Sequence, residues 1–176
     1  MNGKGFVVPP GGGPVLAMAP GRSAALKLVS GETAGSIMLF EETVPSGVGT
    51  NFHLHRDSDE VAWVLSGEII FKIGDEVTVG GPGTCAFIPR GAPHAWKNTS
   101  ADTGHVLFVY TPATAGGVFE ERLRRPDGAI DEMRHRHGLE IVGPPRFDGV
   151  RVVSRSAGAA YPLVLSGPDS SDCEPV

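Results

Sequence analysis

Several things are scarce in this chain, and each scarcity removes a class of protein. Of its 176 residues only two are cysteines. Cys85 lies in an apolar, strand-like run and Cys173 in a polar tail, so a disulfide scaffold is not indicated and a reducing, cytoplasmic setting is the expectation. No apolar run approaches the roughly 20 residues of a membrane-spanning helix. The early apolar residues are broken up by Pro9, Pro10, three glycines and Pro14 before the core of a signal peptide forms. Basic charge is short as well: 15 Lys and Arg stand against 20 Asp and Glu, for a net charge of −5. That balance leaves no basic face to neutralise phosphates and argues against a nucleic-acid partner. The arginines at 122, 124, 125, 134 and 136 are interleaved with acids and read as a solvated helical face. Aromatic residues are sparse too, at 7%.

Glycine and proline, in contrast, are plentiful, at 25 and 15. They punctuate the chain every few residues, which favours many short strands over long helices. A length of 176 residues with 40% hydrophobic content suits one core-forming domain. Apolar runs predict main strands over 36–42, 60–65, 68–73, 77–79, 84–88, 94–98 and 106–111, with minor ones at 6–8, 15–19 and 25–29. Ser66-Gly67 reads as a tight hairpin between two of them. Beyond Pro112 the pattern changes to short helices over 118–124 and 129–137, capped by Gly138, with further strands at 139–142, 150–153 and 163–165. The whole reads as an all-β sandwich or barrel followed by short C-terminal helices. The expected division is an N-terminal arm with edge strands over 1–34, the barrel over 35–111, a helical and extended segment packing on it over 112–165, and a disordered tail over 166–176.

Chemistry is concentrated between Gly47 and Gly67. His53 and His55 are one residue apart, so on an extended strand both imidazoles point to the same side. Glu60 follows after a polar connection short enough to bring a third ligand in from a neighbouring strand. Histidine and carboxylate donors without a nearby thiol suit a divalent transition metal. The same pair also fits exposed histidines in a polar turn, and spacing alone leaves both readings open. His94, at a strand start after a Pro-x-Gly turn, is placed to meet the first cluster across a barrel.

Residues 47–67 read G-x5-H-x-H-x4-E-x6-G, and residues 83–98 read G-x5-P-x-G-x2-H-x3-N. In both, the chain resembles the cupin superfamily, whose fold is a jelly-roll or double-stranded β-helix barrel. With its lead-in and helical C-terminal segment it is most similar to small single-domain bacterial cupins grouped with quercetin 2,3-dioxygenases. The resemblance implies that His53, His55, Glu60 and His94 bind one metal ion. Three neutral imidazoles and one carboxylate leave a divalent ion with a charge near +1 and, in octahedral geometry, two open positions. Iron, manganese and nickel lead the expectation, with cobalt, copper and zinc also compatible with the donor set.

Strand alternation gives Asn51, Ala62 and Trp96 as candidate lining of a largely apolar pocket, joined by Met38 and Phe40 or else Ile37 and Leu39, and by Phe108 and Tyr110 or else Leu107 and Val109. Met38, Phe40 and Phe108 are the preferred choice, although in a small barrel most such residues are simply core. The resemblance implies a dioxygenase acting on a flavonol-like, phenolic or enolic small molecule, with dioxygen as co-substrate. Glu60 is also the candidate catalytic base, since a desolvated carboxylate in a metal pocket can leave the metal and take a substrate proton. The alternatives are an isomerase, cyclase or lyase using the metal as a Lewis acid, or a non-catalytic small-molecule-binding protein. No helix-turn-helix pattern precedes the barrel, which lowers the standing of a DNA-binding regulator. Neither nucleic acid nor membrane is expected as a partner. A homodimer is expected, because the outward face of Val61, Trp63 and Leu65 calls for cover.

Overall fold

The computed structural model describes residues 5–147, so the strands expected at 150–153 and 163–165, the tail and Cys173 lie outside the described residues. In chain order the elements are β1 (Val15–Ala19), β2 (Arg22–Leu28), β3 (Met38–Val44), β4 (Phe52–His55), β5 (Asp59–Ser66), β6 (Ile69–Ile73), β7 (Glu76–Gly80), β8 (Cys85–Ile88), β9 (His94–Asn98) and β10 (Gly104–Thr111). After a 3-10 turn at Ala113–Gly116 come helices α1 (Gly117–Arg124) and α2 (Ile130–Arg136) and a last strand, β11 (Leu139–Gly143). The short strand expected at Phe6–Val8 does not form, and those residues carry no regular structure.

Two antiparallel sheets make the all-β jelly roll, one of six strands in the order β1-β2-β3-β10-β5-β8 and one of five in the order β11-β4-β9-β6-β7. The core lies where alternating side chains of β3, β10 and β5 turn inward. Met38, Phe40, Glu42 and Val44 are buried on β3, Val106, Phe108 and Tyr110 on β10, and Glu60, Ala62 and Val64 on β5. Phe108 faces Phe40 in register on one side and the small Ala62 on the other. That pairing of large with small leaves room for the rings to stack, and the Phe40 and Phe108 centroids lie 5.2 Å apart.

Ser66-Gly67 does not close a hairpin. β5 pairs with β10 and β8, whereas β6 pairs with β7 and β9, so the chain leaves one sheet and enters the other at this point. Gly67, at φ +85°, sits against the Gly104 backbone, where a Cβ would come within 2.9 Å of it. A turn chosen for close sheet-to-sheet passage carries the same residue signal as a hairpin. The hairpin proper is the next one, β6 to β7 across Gly74-Asp75, with Ile73 opposite Glu76.

The chain beyond the barrel folds back onto it. β11 pairs antiparallel with β4, placing Leu139 opposite His55 and Ile141 opposite His53. Ser58 locks the two parts together, donating to the Pro112 carbonyl at 2.7 Å and accepting from the Ala115 amide at 3.0 Å. No helix is long and apolar enough to cross a membrane, among the described residues.

Candidate metal centre

His53 and His94 are direct cross-strand partners on β4 and β9, with ring centroids 4.2 Å apart. His94 therefore meets the first cluster as a neighbour within the five-stranded sheet, not across the barrel. The residue that crosses is Glu60. It stands on β5 in the facing sheet, because residues 56–58 carry the chain from one sheet to the other and do not turn it back beside itself. Spacing specifies which residues converge but is silent on the sheet from which each arrives.

All four side chains are buried, and one donor atom from each lies within 4.8 Å of the others. Backbone carbonyls set two of the ring tautomers. His53 donates Nδ1–H to Asn51 O at 2.8 Å, and His94 donates Nδ1–H to Ala92 O at 3.0 Å. In each neutral ring this leaves Nε2 as a lone pair aimed at the cluster, the arrangement by which a carbonyl orients a metal-ligating histidine. Glu60 Oε2 lies 3.1 Å from His94 Nε2 and 3.0 Å from His55 Nε2. Two acceptors at that separation need a cation between them, either a proton or a metal ion.

The electrostatics agree with that demand. Burial disfavours ionised Glu60, yet the neighbouring His94 and His55 outweigh it and hold the carboxyl well below its ordinary range. His94 is displaced upward, burial opposing and the Glu60 carboxylate prevailing. His53 is pushed down to about 3 by burial and by the adjacent His94 and His55, and so remains neutral. Nδ1 of His55 is buried with no hydrogen-bond partner among the described residues. A buried carboxylate among three imidazoles is costly unless a cation compensates it, and the donor set of three nitrogens and one oxygen fits a single divalent transition metal.

A cavity of about 470 Å³ opens beside the cluster, with His53 and Tyr110 on its wall. Of the residues expected to line it, Phe40, Asn51, Trp96 and Phe108 do. Met38 and Ala62 are instead fully buried core. Met38 is overlain by Gly116, where a Cβ would strike its sulfur, and Ala62 lies opposite Phe108 and Ala86 in the sheet.

The wall is also more polar than expected. It carries Arg22, Glu42, Lys97, Arg122 and Arg134, so Arg122 and Arg134 belong to the cavity and not to a solvated helical face. Helical periodicity identifies a polar face without saying whether water or a cavity adjoins it. Arg22 is fully engaged: Nε and Nη2 donate to the Glu42 carboxylate at 3.0–3.1 Å, Nη1 donates to Gly49 O at 3.3 Å, and its guanidinium carbon lies 4.9 Å from the Trp96 ring centroid. Gly49 permits this contact by running close to β9, where a Cβ would come within 2.2 Å of the Trp96 carbonyl oxygen.

Comparison with known proteins accords with the barrel. Residues 40–110 match the family Cupin_2, a cupin domain. Over 94 residues the chain is 29% identical to the HTH-type transcriptional regulator PuuR of Escherichia coli K12, a match covering 53% of this chain and 51% of the regulator, and equally to PuuR of Shigella flexneri. The chain thus spans about half the length of the curated relatives it matches. Among solved structures, KdgF from Halomonas sp. superposes with a TM-score of 0.56 at 16% identity, over 62% of this chain and 94% of that one. An RmlC-like cupin from Shewanella frigidimarina gives 0.55 at 17% identity, over 64% and 96%. At these identities the likeness concerns the fold.

Proposed function

We propose that this cupin jelly roll is a metal-dependent enzyme acting on a small enolic or phenolic molecule, with dioxygenase chemistry as the leading reaction. The observation that carries the proposal is the convergence of His53, His55, Glu60 and His94 on one point beside an aromatic-walled cavity. When bound, the metal would supply Lewis acidity toward a substrate oxygen and positions for a second small ligand. The protein's own part is to hold the imidazoles by the Asn51 and Ala92 carbonyls, to exclude water with Phe40, Phe108, Phe119 and Tyr110, and to offer Glu60 as acceptor for the substrate's hydroxyl proton. The lead-in, single barrel and helical C-terminal segment, which resemble those of the small cupins grouped with quercetin 2,3-dioxygenases, support the oxidative reading.

Two measurements test it. Oxygen uptake with phenolic substrates separates a dioxygenase from an isomerase, cyclase or lyase, which would turn substrate over with no oxygen consumed. Glu60→Gln, which keeps one ligating oxygen and loses the base, is expected to retain part of the metal while kcat falls by about 100-fold. Turnover equal to wild type in that variant would remove Glu60 from the chemistry. A second reading, non-catalytic ligand binding, is favoured by the sequence likeness to a transcriptional regulator. It predicts ligand-induced changes in the metal's spectrum with no product.

The assembly we propose is a homodimer. On the outer face of the six-stranded sheet Trp63, Leu65 and Phe87 are all exposed, and Phe87 stands on β8, an edge strand. Cover for that face and edge by a second copy gives twice the chain mass in light scattering, and Trp63→Glu is expected to return the monomer. A monomeric mass for the wild type at micromolar concentration refutes it.

A further inference from the structure

The arginines of the cavity are not equivalent. Arg22 spends every donor group that faces the interior on Glu42 and Gly49. Arg134, on α2, is bonded at 2.7 Å to Asp131, a side chain 88% exposed and therefore a screened partner. Arg122, on α1, makes no ion pair or hydrogen bond among the described residues, although it is partly buried in the cavity wall. Burial and the positive charges of Arg134 and Arg22 all weaken its hold on its proton, which places the three guanidiniums within one another's field. A partly desolvated guanidinium with no acceptor is costly to hold, and a ligand anion relieves that cost.

The cavity that these side chains line has the size of a small-molecule site and is walled also by Phe40, Trp96 and Phe108. Among the described residues four cationic side chains, Arg22, Lys97, Arg122 and Arg134, face it against the single acid Glu42. We infer that the cavity takes a small planar acid whose anionic group, a carboxylate or a phosphate, is held between Arg122 and Arg134 while its opposite, oxygen-bearing end faces the metal centre. The ring of such a molecule would lie among the aromatic side chains. Only the orientation of the ligand rests on the metal-enzyme reading; the anion subsite stands on the arginines alone.

Calorimetric titration of the metal-loaded protein with 4-hydroxybenzoate, its neutral methyl ester and phenyl phosphate tests the inference. The acid is expected to bind about tenfold tighter than the ester or better, a preference that shrinks as salt rises. Phenyl phosphate exceeding the benzoate supports the subsite and assigns it to a phosphate. In Arg122→Gln/Arg134→Gln the acid and ester should become equal, whereas Arg124→Gln/Arg125→Gln, altered at exposed positions, should keep the preference. Equal binding of acid and ester by the wild type overturns the inference without recourse to any variant, as does a preference that survives loss of both cavity arginines. The metal-depleted His94→Ala protein separates the two readings. If it still prefers the acid, the subsite holds whatever the metal does; a metal-loaded protein without preference sinks the subsite alone.

Discussion

His94→Ala is expected to bring the metal content of the purified protein from about one ion per chain to below about a tenth, and to lower turnover by more than about a thousandfold. The size of the effect follows from position. His94 offers one of the four donors that could hold the ion, and its Nε2 is fixed by the Ala92 carbonyl, with no further nitrogen in the cluster among the described residues to replace it. Losing it also leaves Glu60 with His55 as its one remaining hydrogen-bond partner among the described residues. Lewis acidity at a bound oxygen is worth several kcal/mol of barrier, which is where the thousandfold comes from. Elemental analysis after purification without added metal gives the content directly. Thermal melts give an independent reading, because a metal that binds the folded chain stabilises it by an amount that grows with the logarithm of metal concentration over Kd, so added metal should raise wild-type Tm and leave the variant unmoved. A full metal complement in the variant would mean that the other three residues suffice.

The second large effect is on stability and comes from Arg22→Ala. Arg22 and Glu42 form a bidentate pair in which the side chains are 13% and 2% exposed. Removing one member of a buried pair leaves the other charged and unsatisfied, at a cost of about 3–5 kcal/mol. The cost should depend on pH. Burial pushes Glu42 up to about 7, with Arg22 pulling in the opposite direction. In the unfolded chain the group titrates near its ordinary value of 4.5. Between those values the folded state keeps a proton that the unfolded state has released, so this group's stabilising contribution is complete below about pH 4.5 and is lost as pH rises through about 7. Without Arg22 the folded value rises further and the loss extends to higher pH. Urea unfolding should therefore show a cost of about 3–5 kcal/mol at pH 8, but only about 1–2 kcal/mol at pH 5, where Glu42 is neutral and mainly the Trp96 contact is lost. Adding Glu42→Gln should recover much of the deficit at pH 8. Equal costs at the two pH values would show that Glu42 does not titrate against Arg22.

That His53, His55, Glu60 and His94 converge was legible through the likeness of the two motifs to cupins, since spacing alone fits exposed histidines in a polar turn equally well. Their distribution between sheets was not readable, since Ser66-Gly67 and the 56–58 connection look alike whether the chain turns back or crosses over. Inward alternation correctly grouped Phe40 with Phe108 and Trp96, but it did not separate cavity wall from solid core, and so Met38 and Ala62 were drawn into the pocket. Arg22 and Glu42 escape a sequence reading of the wall for a related reason. Each sits in an otherwise ordinary strand, and only the stacking of one sheet on the other gives it something to face. Arg122 and Arg134 carried a clue in their number and spacing, but a charged stripe on a short helix is more often a wet one.

The return of β11 onto β4 gives the molecule a division of labour along its chain. The atoms that would hold a metal come from residues 53–94, whereas part of the cavity wall, Val118, Phe119, Arg122, Ile130, Arg134 and Ile141, comes from a later stretch pinned to β4 by the pairing of Ile141 with His53. Groups that would govern reactivity and some of those that would govern selectivity thus lie in separate passages of the same sequence. Substitutions in the later passage can change which molecule is admitted while the ligands stay as they are, and a lineage of such proteins can diversify its substrates without reinventing its chemistry.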